Sequence, residues 1–434
     1  MSRILPILGL ALALRCGAIA QTAPPQPGLT LTLQDALARA RANGLQLLSA
    51  DIAARIARED RVQAKAALLP SVNWQNGFDY TQPNGTDTGV FVPNNGPRVY
   101  TNMAAVHADI FAPGKRADYQ MAIAAEAAAR AKLEIASRGL SAVVVQNFYG
   151  MAVSQRHVAN ARRSLEEARQ FVDITQKQEA GGEAAHSDVV KAQLTLSQRQ
   201  RDVQEAQLAY DKARIGFAVF LFPDFRQDFA VADDLDTLSP LTAFPEIETL
   251  AQRNNPEIRA AQSAVTQGNY GIKSARFGLY PSLSVDYFFG IQANQYALHN
   301  EFGQNNLGSA VVASLTFPVW NWGATRSKVK QAELRLQQAR TELTVTQRQL
   351  LSNLHAFYLE ASVASNQVAS LKNSLDLSDE SLRLTMLRYQ AGEVTVLEVV
   401  DAQSTLFAAR NAYDDGLARY RLALASLQTL TGAF

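Results

Sequence analysis

Hydrophobic positions along this chain keep two different periods. Residues 70–81 alternate, with Val72, Trp74, Phe78 and Tyr80 set against Ser71, Asn73, Gln75 and Asp79. Residues 281–293 place Leu283, Val285, Tyr287, Phe289 and Ile291 on one face and Ser282, Ser284, Asp286, Gly290 and Gln292 on the other, with Phe288 out of step. Residues 308–319 gather Val311, Ala313, Leu315, Phe317 and Val319 against small or polar partners. A fourth, weaker alternation runs over 99–111. Period two predicts strands with one apolar face.

The second period is helical and far longer. No proline lies between Pro113 and Pro223 or after Pro318, and no glycine lies between Gly323 and Gly392. An unbroken helix over that last interval would reach roughly 100 Å at about 1.5 Å per residue. Leu350, Leu354, Phe357, Ala361, Ala364, Val368, Leu371 and Leu375 step alternately by four and three. That is a heptad seam, and its alanines suit close helix packing.

These elements occur twice. "QEAGGEAAHSDVVKAQLTL" (178–196) matches "RYQAGEVTVLEVVDAQSTL" (388–406) at eight of nineteen positions, an offset of 210. "LLPSV" (68–72) and "LYPSL" (279–283) lie 211 apart, and Asn147-Phe148-Tyr149 precedes Ala356-Phe357-Tyr358 by 209. A constant offset identifies a tandem duplication. The expected units are 29–221 and 246–432, each a helix, two strands and a long helical hairpin turning near Gly182 or Gly392. Residues 222–245, rich in Pro and Asp, read as a linker with little regular structure.

Seen singly, the seam suits a filamentous coiled coil and the strands suit a soluble sandwich. Four amphipathic strands beside very long helices favour a membrane barrel instead. A ten-residue strand tilted near 45° covers about 23 Å of the bilayer normal. Trp74, Trp320 and Trp322 fall in or beside the strands, as interface anchors do. The joining stretches, 81–98 and around 294–306, are polar and turn-rich, as extracellular loops are. Four strands cannot close a barrel, and an open edge is not tolerated in lipid. Three chains would supply twelve strands, with helices continuing the wall below. Pro70, Pro113, Pro281 and Pro318, followed by Gly114 and Gly323, mark the expected strand–helix transitions.

Composition narrows the function. Arg3, an apolar run from Ile4 to Leu14 and the small residues Ala18 and Ala20 lay out a secretory signal over residues 1–20. Arg15 before Cys16 fits a lipoprotein cleavage site poorly, and no other cysteine follows. Without the signal, 39 basic residues face 40 acidic ones, which excludes a nucleic-acid footprint. His107, His157, His186, His299 and His355 are scattered, no glycine loop cradles phosphate, and neither an enzyme nor a cofactor is expected.

The duplicated helix–strand–strand–helix plan and "RYQAG…LEVVDAQ" resemble the TolC-like outer membrane efflux family, over Leu31 to Gly432. The resemblance implies a homotrimeric channel-tunnel with a twelve-stranded barrel in outer-membrane lipid above a periplasmic α-barrel. It also implies a passive exit duct, a periplasmic adaptor and an inner-membrane transporter as partners, and gating at the helical tips. A periplasmic adaptor or structural coiled-coil protein is the alternative, but adaptors have one hairpin and more β structure.

At the tips, Glu398 and Asp401 lie three apart on one helix face. Threefold repetition would make two acidic rings at a pore constriction, with Asp188 the counterpart in the first copy and Lys191 replacing the second acid. Ordinary solvated first-turn acids fit the same positions. The resemblance implies that Gly182, Gly392, Tyr389 and Val394 form the tip and adaptor contact, with the Tyr389 hydroxyl expected to reach Asp188 of the adjacent hairpin. Val394 stands where some relatives carry arginine, which argues against a charged lock.

Overall fold

Alternating segments from both halves pair into one antiparallel sheet in the computed structural model, which describes residues 29–81 and 97–432. The strands are β2 (Ser71–Tyr80), β3 (Arg98–Phe111), β5 (Ser282–Ala293) and β6 (Leu307–Thr316), in that spatial order. Register aligns the apolar faces in rows. Val72 lies opposite Val106, Val106 opposite Tyr287, and Tyr287 opposite Val311. The other face carries Ser71, His107 and Asp286 in one row, with His107 Nδ1 2.7 Å from Asp286 Oδ1. Phe288, the residue out of step, sits on that face between Ala105 and Ala310, whose small side chains leave it room. Both outer edges, on β2 and β6, lack a partner strand among the described residues.

Below the sheet the helices form a layer four across. α3 (Pro113–Ala180) and α7 (Ala324–Gln390) run its whole length. Near the sheet they are flanked by α2 (Leu45–Ala66) and α6 (Pro256–Phe277), and farther away by α4 (His186–Leu221) and α8 (Val396–Thr431). The heptad seam is the buried side of α7: Leu350, Leu354, Ala361, Ala364 and Val368 are all in the core.

Several expectations need correction. The first helix of each half is a pair, α1 (Leu33–Asn43) then α2, and α5 (Phe244–Asn254) then α6. The breaks fall at Gly44 and at Asn255, whose side chain accepts from the Ile258 N–H as an N-cap. The segment 222–245 is more than a linker. It contains β4 (Phe229–Val231), paired in parallel with β1 (Leu29–Leu31), and it buries Phe222, Phe229, Val231 and Leu235 against α3 and α4. Its acids conceal this, because they bind arginines of the helical layer while staying partly solvated. Arg156 of α3 holds Asp233, Asp236 and Asp414, and the Arg421 guanidinium donates to the Asp234 carbonyl at 2.6 Å. The segment is a strap across one face of the helical layer.

Of the two junction glycines only Gly323 bends the chain, at φ 79°, as the N-cap of α7. Gly114 is already helical, because Pro113 occupies the first turn, where its missing N–H costs nothing. β6 ends at Thr316, so Phe317 and Val319 lie past the last paired residue. The signal stretch and most of the loop 81–98 lie outside the described residues.

Candidate functional site

The end of the layer farthest from the sheet is made by two turns of the same design. In the first, Gly181 caps the end of α3, and Gly182 takes φ 78°. Glu183 N donates to Gln178 O at 2.8 Å and Gly182 N to Glu179 O at 2.9 Å. In the second, Gly392 has φ 73°, Glu393 N donates to Arg388 O at 2.9 Å, and Gly392 N to Tyr389 O at 3.0 Å. Both are Schellman turns, which satisfy the last carbonyls of the descending helix. No neighbouring atom lies within 4 Å of a Cβ placed on either glycine, so backbone conformation alone selects glycine there.

The returning helices start differently. α8 opens at Thr395, and Glu398 folds back so that Oε1 accepts the Thr395 N–H at 3.3 Å. α4 opens at Ala185 without a side-chain cap, and His186 instead meets Glu179 across the turn, Nδ1 to Oε1, at 2.7 Å. Glu398 and Asp401 are both exposed, and Asp188 is partly exposed in the first turn of α4. Among the described residues Asp188 has no hydrogen-bond or ion-pair link to Glu398 or Asp401.

Tyr389 is used differently from the expectation. It is only 5% exposed, its ring packs edge-on against Phe171 at 5.2 Å, and its hydroxyl donates to Thr175 Oγ1 at 3.5 Å rather than to Asp188. With Val172, Ala192, Val396 and Val399 it forms a core shared by both hairpins, and Val394 packs against its edge. The tips of one chain are therefore fastened together by apolar contact. Higher up, Arg199 of α4 continues the junction, donating to Ser404 Oγ at 2.9 Å and lying over the Phe407 ring. Sequence reasoning misses Phe171, Thr175 and Arg199, which have no motif of their own. Glu183 and Glu393, identical in the two copies, were a signal available in the repeat.

At the opposite end, Trp74 is 66%, Trp320 75% and Trp322 89% exposed. Trp320 and Trp322 stack edge to face at 5.7 Å just beyond β6. Among the described residues no helix is long and apolar enough to cross a membrane.

A half-apolar sheet, two near-identical turning points and a helical layer about 100 Å long define a duct-forming class of outer-membrane protein. The profile of that class matches the chain twice, at residues 36–219 and 249–433, and the chain belongs to the outer membrane efflux protein family. It is 26% identical over 405 residues to the outer membrane efflux protein BepC of Brucella suis, covering 89% of this chain and 82% of the relative. It is 21% identical over 386 residues to the alkaline protease secretion protein AprF of Pseudomonas aeruginosa, covering 86% and 79%. The fold matches a CusC structure at TM-score 0.82 and 18% identity, covering 95% of both chains. It matches the VceC structure from Vibrio cholerae at TM-score 0.81 and 17% identity, covering 92% of this chain and 96% of that one. The protein is accordingly an exit duct of the outer membrane with its helical part in the periplasm, and its family transports rather than catalyses. The adaptor alternative falls with the family match.

Proposed function

We propose that three copies of this chain close a twelve-stranded barrel in the outer membrane, continue it as a periplasmic α-barrel, and gate it at the helical tips. The carrying observation is the four-stranded sheet with an apolar face and two open edges, β2 and β6. In lipid each unpaired backbone group along those edges costs several kcal/mol, and cyclic pairing of β2 with a neighbour's β6 removes the cost. The helical layer supports the same closure. Leu45, Leu48, Ile52 and Ile56 form an exposed stripe on α2 at one side. Val345, Leu359, Val363 and Leu377 form another on α7 at the other.

Six tips would then surround the periplasmic entrance, with Glu398 and Asp401 facing it as acidic rings and Asp188 adding charge in the alternating hairpin. A periplasmic adaptor would dock on the Gly182 and Gly392 turns, and an inner-membrane transporter would supply the energy. Relatives are named for an alkaline protease, for pyoverdine and for cobalt, zinc and cadmium. A duct of this plan thus serves cargo of very different size, and we assign none.

The test is recovery of SDS-resistant, heat-modifiable trimers from outer-membrane fractions, with disulfides forming between cysteines placed on β2 and β6 of different chains. A soluble periplasmic monomer would overturn the assignment.

A further inference from the structure

Where the helices meet the sheet, charge is distributed against helical preference. The five helices α1, α4, α5, α6 and α8 each carry an acid in the first turn: Asp35, Asp188, Glu246, Glu257 and Glu398. Three carry none: α2, which begins at its end away from the sheet, and α3 and α7, which begin directly below it. The latter two place Lys115, Arg116 and Arg326 at the positive end of the helix dipole instead, which is unfavourable within the chain itself. The neighbouring helix ends are equally basic. Residues 61–66, 113–119, 272–277 and 324–330 contain nine Lys or Arg and one acid, Asp118, which accepts from Ser274 Oγ. Arg61 pairs with Glu126, Lys115 with Asp109, and Arg276 and Lys330 share Glu333, which leaves Lys65, Arg116, Lys273, Arg326 and Lys328 as the cations of this level without an ion-pair partner among the described residues.

Packing tells which of these cations point away from the duct. α1 lies on one side of the helical layer, and the groove beneath it is lined by Arg130, Glu134 and Asp51. Under the proposed closure that side is the outer one, and the opposite groove, between α6 and α7, faces the duct. Counting by sevens, Arg116 shares the face of Arg130, and Lys65 that of Asp51. On α6, Lys273 lies across the helix from Gly268 and Gly271, which line the inner groove. On α7, Arg326 and Lys330 lie across the helix from Lys328 and Arg335, which line it too. Arg276 reaches Glu333 at 3.2 Å on the outer side. Lys65, Arg116, Lys273, Arg276, Arg326 and Lys330 are all exposed. Trp320 and Trp322 precede Arg326 by six and four residues.

We infer that this outward collar binds the headgroups of anionic phospholipids in the leaflet nearest the helices. The inference rests on the proposed seating of the sheet in the bilayer. Two observations favour lipid over a protein partner: the cations lie on helix ends that adjoin strands with exposed apolar side chains, and the exposed Trp320 and Trp322 just beyond β6 are of the kind that lies at headgroup depth. All six cations fall within about two helical turns of the strand ends, comparable to the Debye length at physiological salt, so they act on one layer of charge. Long basic side chains there can rest their stems on acyl chains while their charges meet phosphate. The reversed dipole preference of α3 and α7 then has a compensating gain outside the chain.

The experiment uses the full-length protein reconstituted in vesicles of brominated phosphatidylcholine or brominated phosphatidylglycerol, with tryptophan quenching as the readout. Phosphatidylglycerol should be preferred several-fold at low salt. In the triple variant Arg116→Gln, Lys273→Gln, Arg326→Gln the preference should fall several-fold, to near-equal quenching by the two lipids. A variant that exchanges Arg and Lys at the same three positions should keep the preference, which controls for folding. Equal quenching by the two lipids in the wild type would overturn the collar and leave the seating of the sheet intact. Absence of quenching by either lipid would overturn the seating, and the collar with it. Loss of the preference on adding inorganic phosphate at the lipid headgroup concentration would show a general anion site and overturn the lipid assignment.

Discussion

Arg156 on α3 grips Asp233 of the strap with two parallel hydrogen bonds, Nε to Oδ2 at 2.6 Å and Nη2 to Oδ1 at 2.8 Å. The same guanidinium donates from Nη2 to Asp236 Oδ2 at 2.7 Å and from Nη1 to Asp414 Oδ1 at 3.1 Å. Burial works against its charge, but the hydrogen bonds to Asp233, Asp236 and Asp414 outweigh that and hold its pKa above the ordinary value. One side chain therefore links the strap, α3 and α8. Arg156→Ala should destabilise the protein by about 2 kcal/mol, reduced from a fully buried case because Asp233 and Asp236 are partly solvated. Limited proteolysis should cut first within 222–245. A strap no more sensitive than in the wild type would refute the clasp.

The same substitution at two glycines should have opposite sign. Gly392→Ala forces alanine to φ 73° and should cost about 1 kcal/mol, although no neighbouring atom obstructs it. Gly150→Ala, in the middle of α3 and equally unobstructed, should stabilise by about 0.5–1 kcal/mol. Thermal midpoints of the two variants measured side by side decide it.

Glu398 has a cap to make as well as a charge to present. Glu398→Ala should lose about 1 kcal/mol from the start of α8. Glu398→Gln keeps an acceptor for the Thr395 N–H and should be close to neutral in stability. The pair Glu398→Gln with Asp401→Asn therefore removes charge with little structural cost. Its expected effect is a weaker cation preference in planar-bilayer conductance, and an unchanged reversal potential would remove the acidic rings from the account.

His157 Nε2 lies 3.3 Å from Asp415 Oδ1 on α8. The Asp415 carboxylate beside it outweighs the opposing effect of burial, Asp414 adds to it, and the His157 pKa is raised above 6.5. A raised folded-state value means that the protonated form is favoured by folding. The contribution is complete below pH 6.5, the unfolded value, and fades as pH climbs through the higher folded value. Unfolding midpoints should thus decline above pH 6.5 by an amount that His157→Gln abolishes.

What the sequence made legible was local. Strand faces followed from alternation at Leu283 to Ile291, and the tips followed from a glycine repeated 210 residues apart. The strap was not legible, because the partners of Phe229 and Asp233 are Leu29 and Arg156, far away in sequence, and its own residues mimic a loop. Tyr389 misled for a similar reason. Its position beside the turn suggested an exposed contact, whereas Thr175 and Phe171, supplied by the other half, enclose it. The break at Gly44 was hidden by unbroken amphipathic spacing on both sides. At the second turn, Glu398 was read from its spacing to Asp401, yet the nearer partner is the backbone of Thr395.

The parallel pairing of Leu29 with Phe229 also sets an order of events. The first described strand of the chain finds its partner only after 200 further residues have followed it. Contacts of such long sequence separation form late, since loop closure must precede them. During export the amino-terminal strand and the apolar side chains around it, Leu31 and Leu37 among them, therefore wait uncovered until more than half of the chain has crossed the inner membrane. Over that interval the protein presents a hydrophobic surface to the periplasm in addition to the apolar face of the sheet.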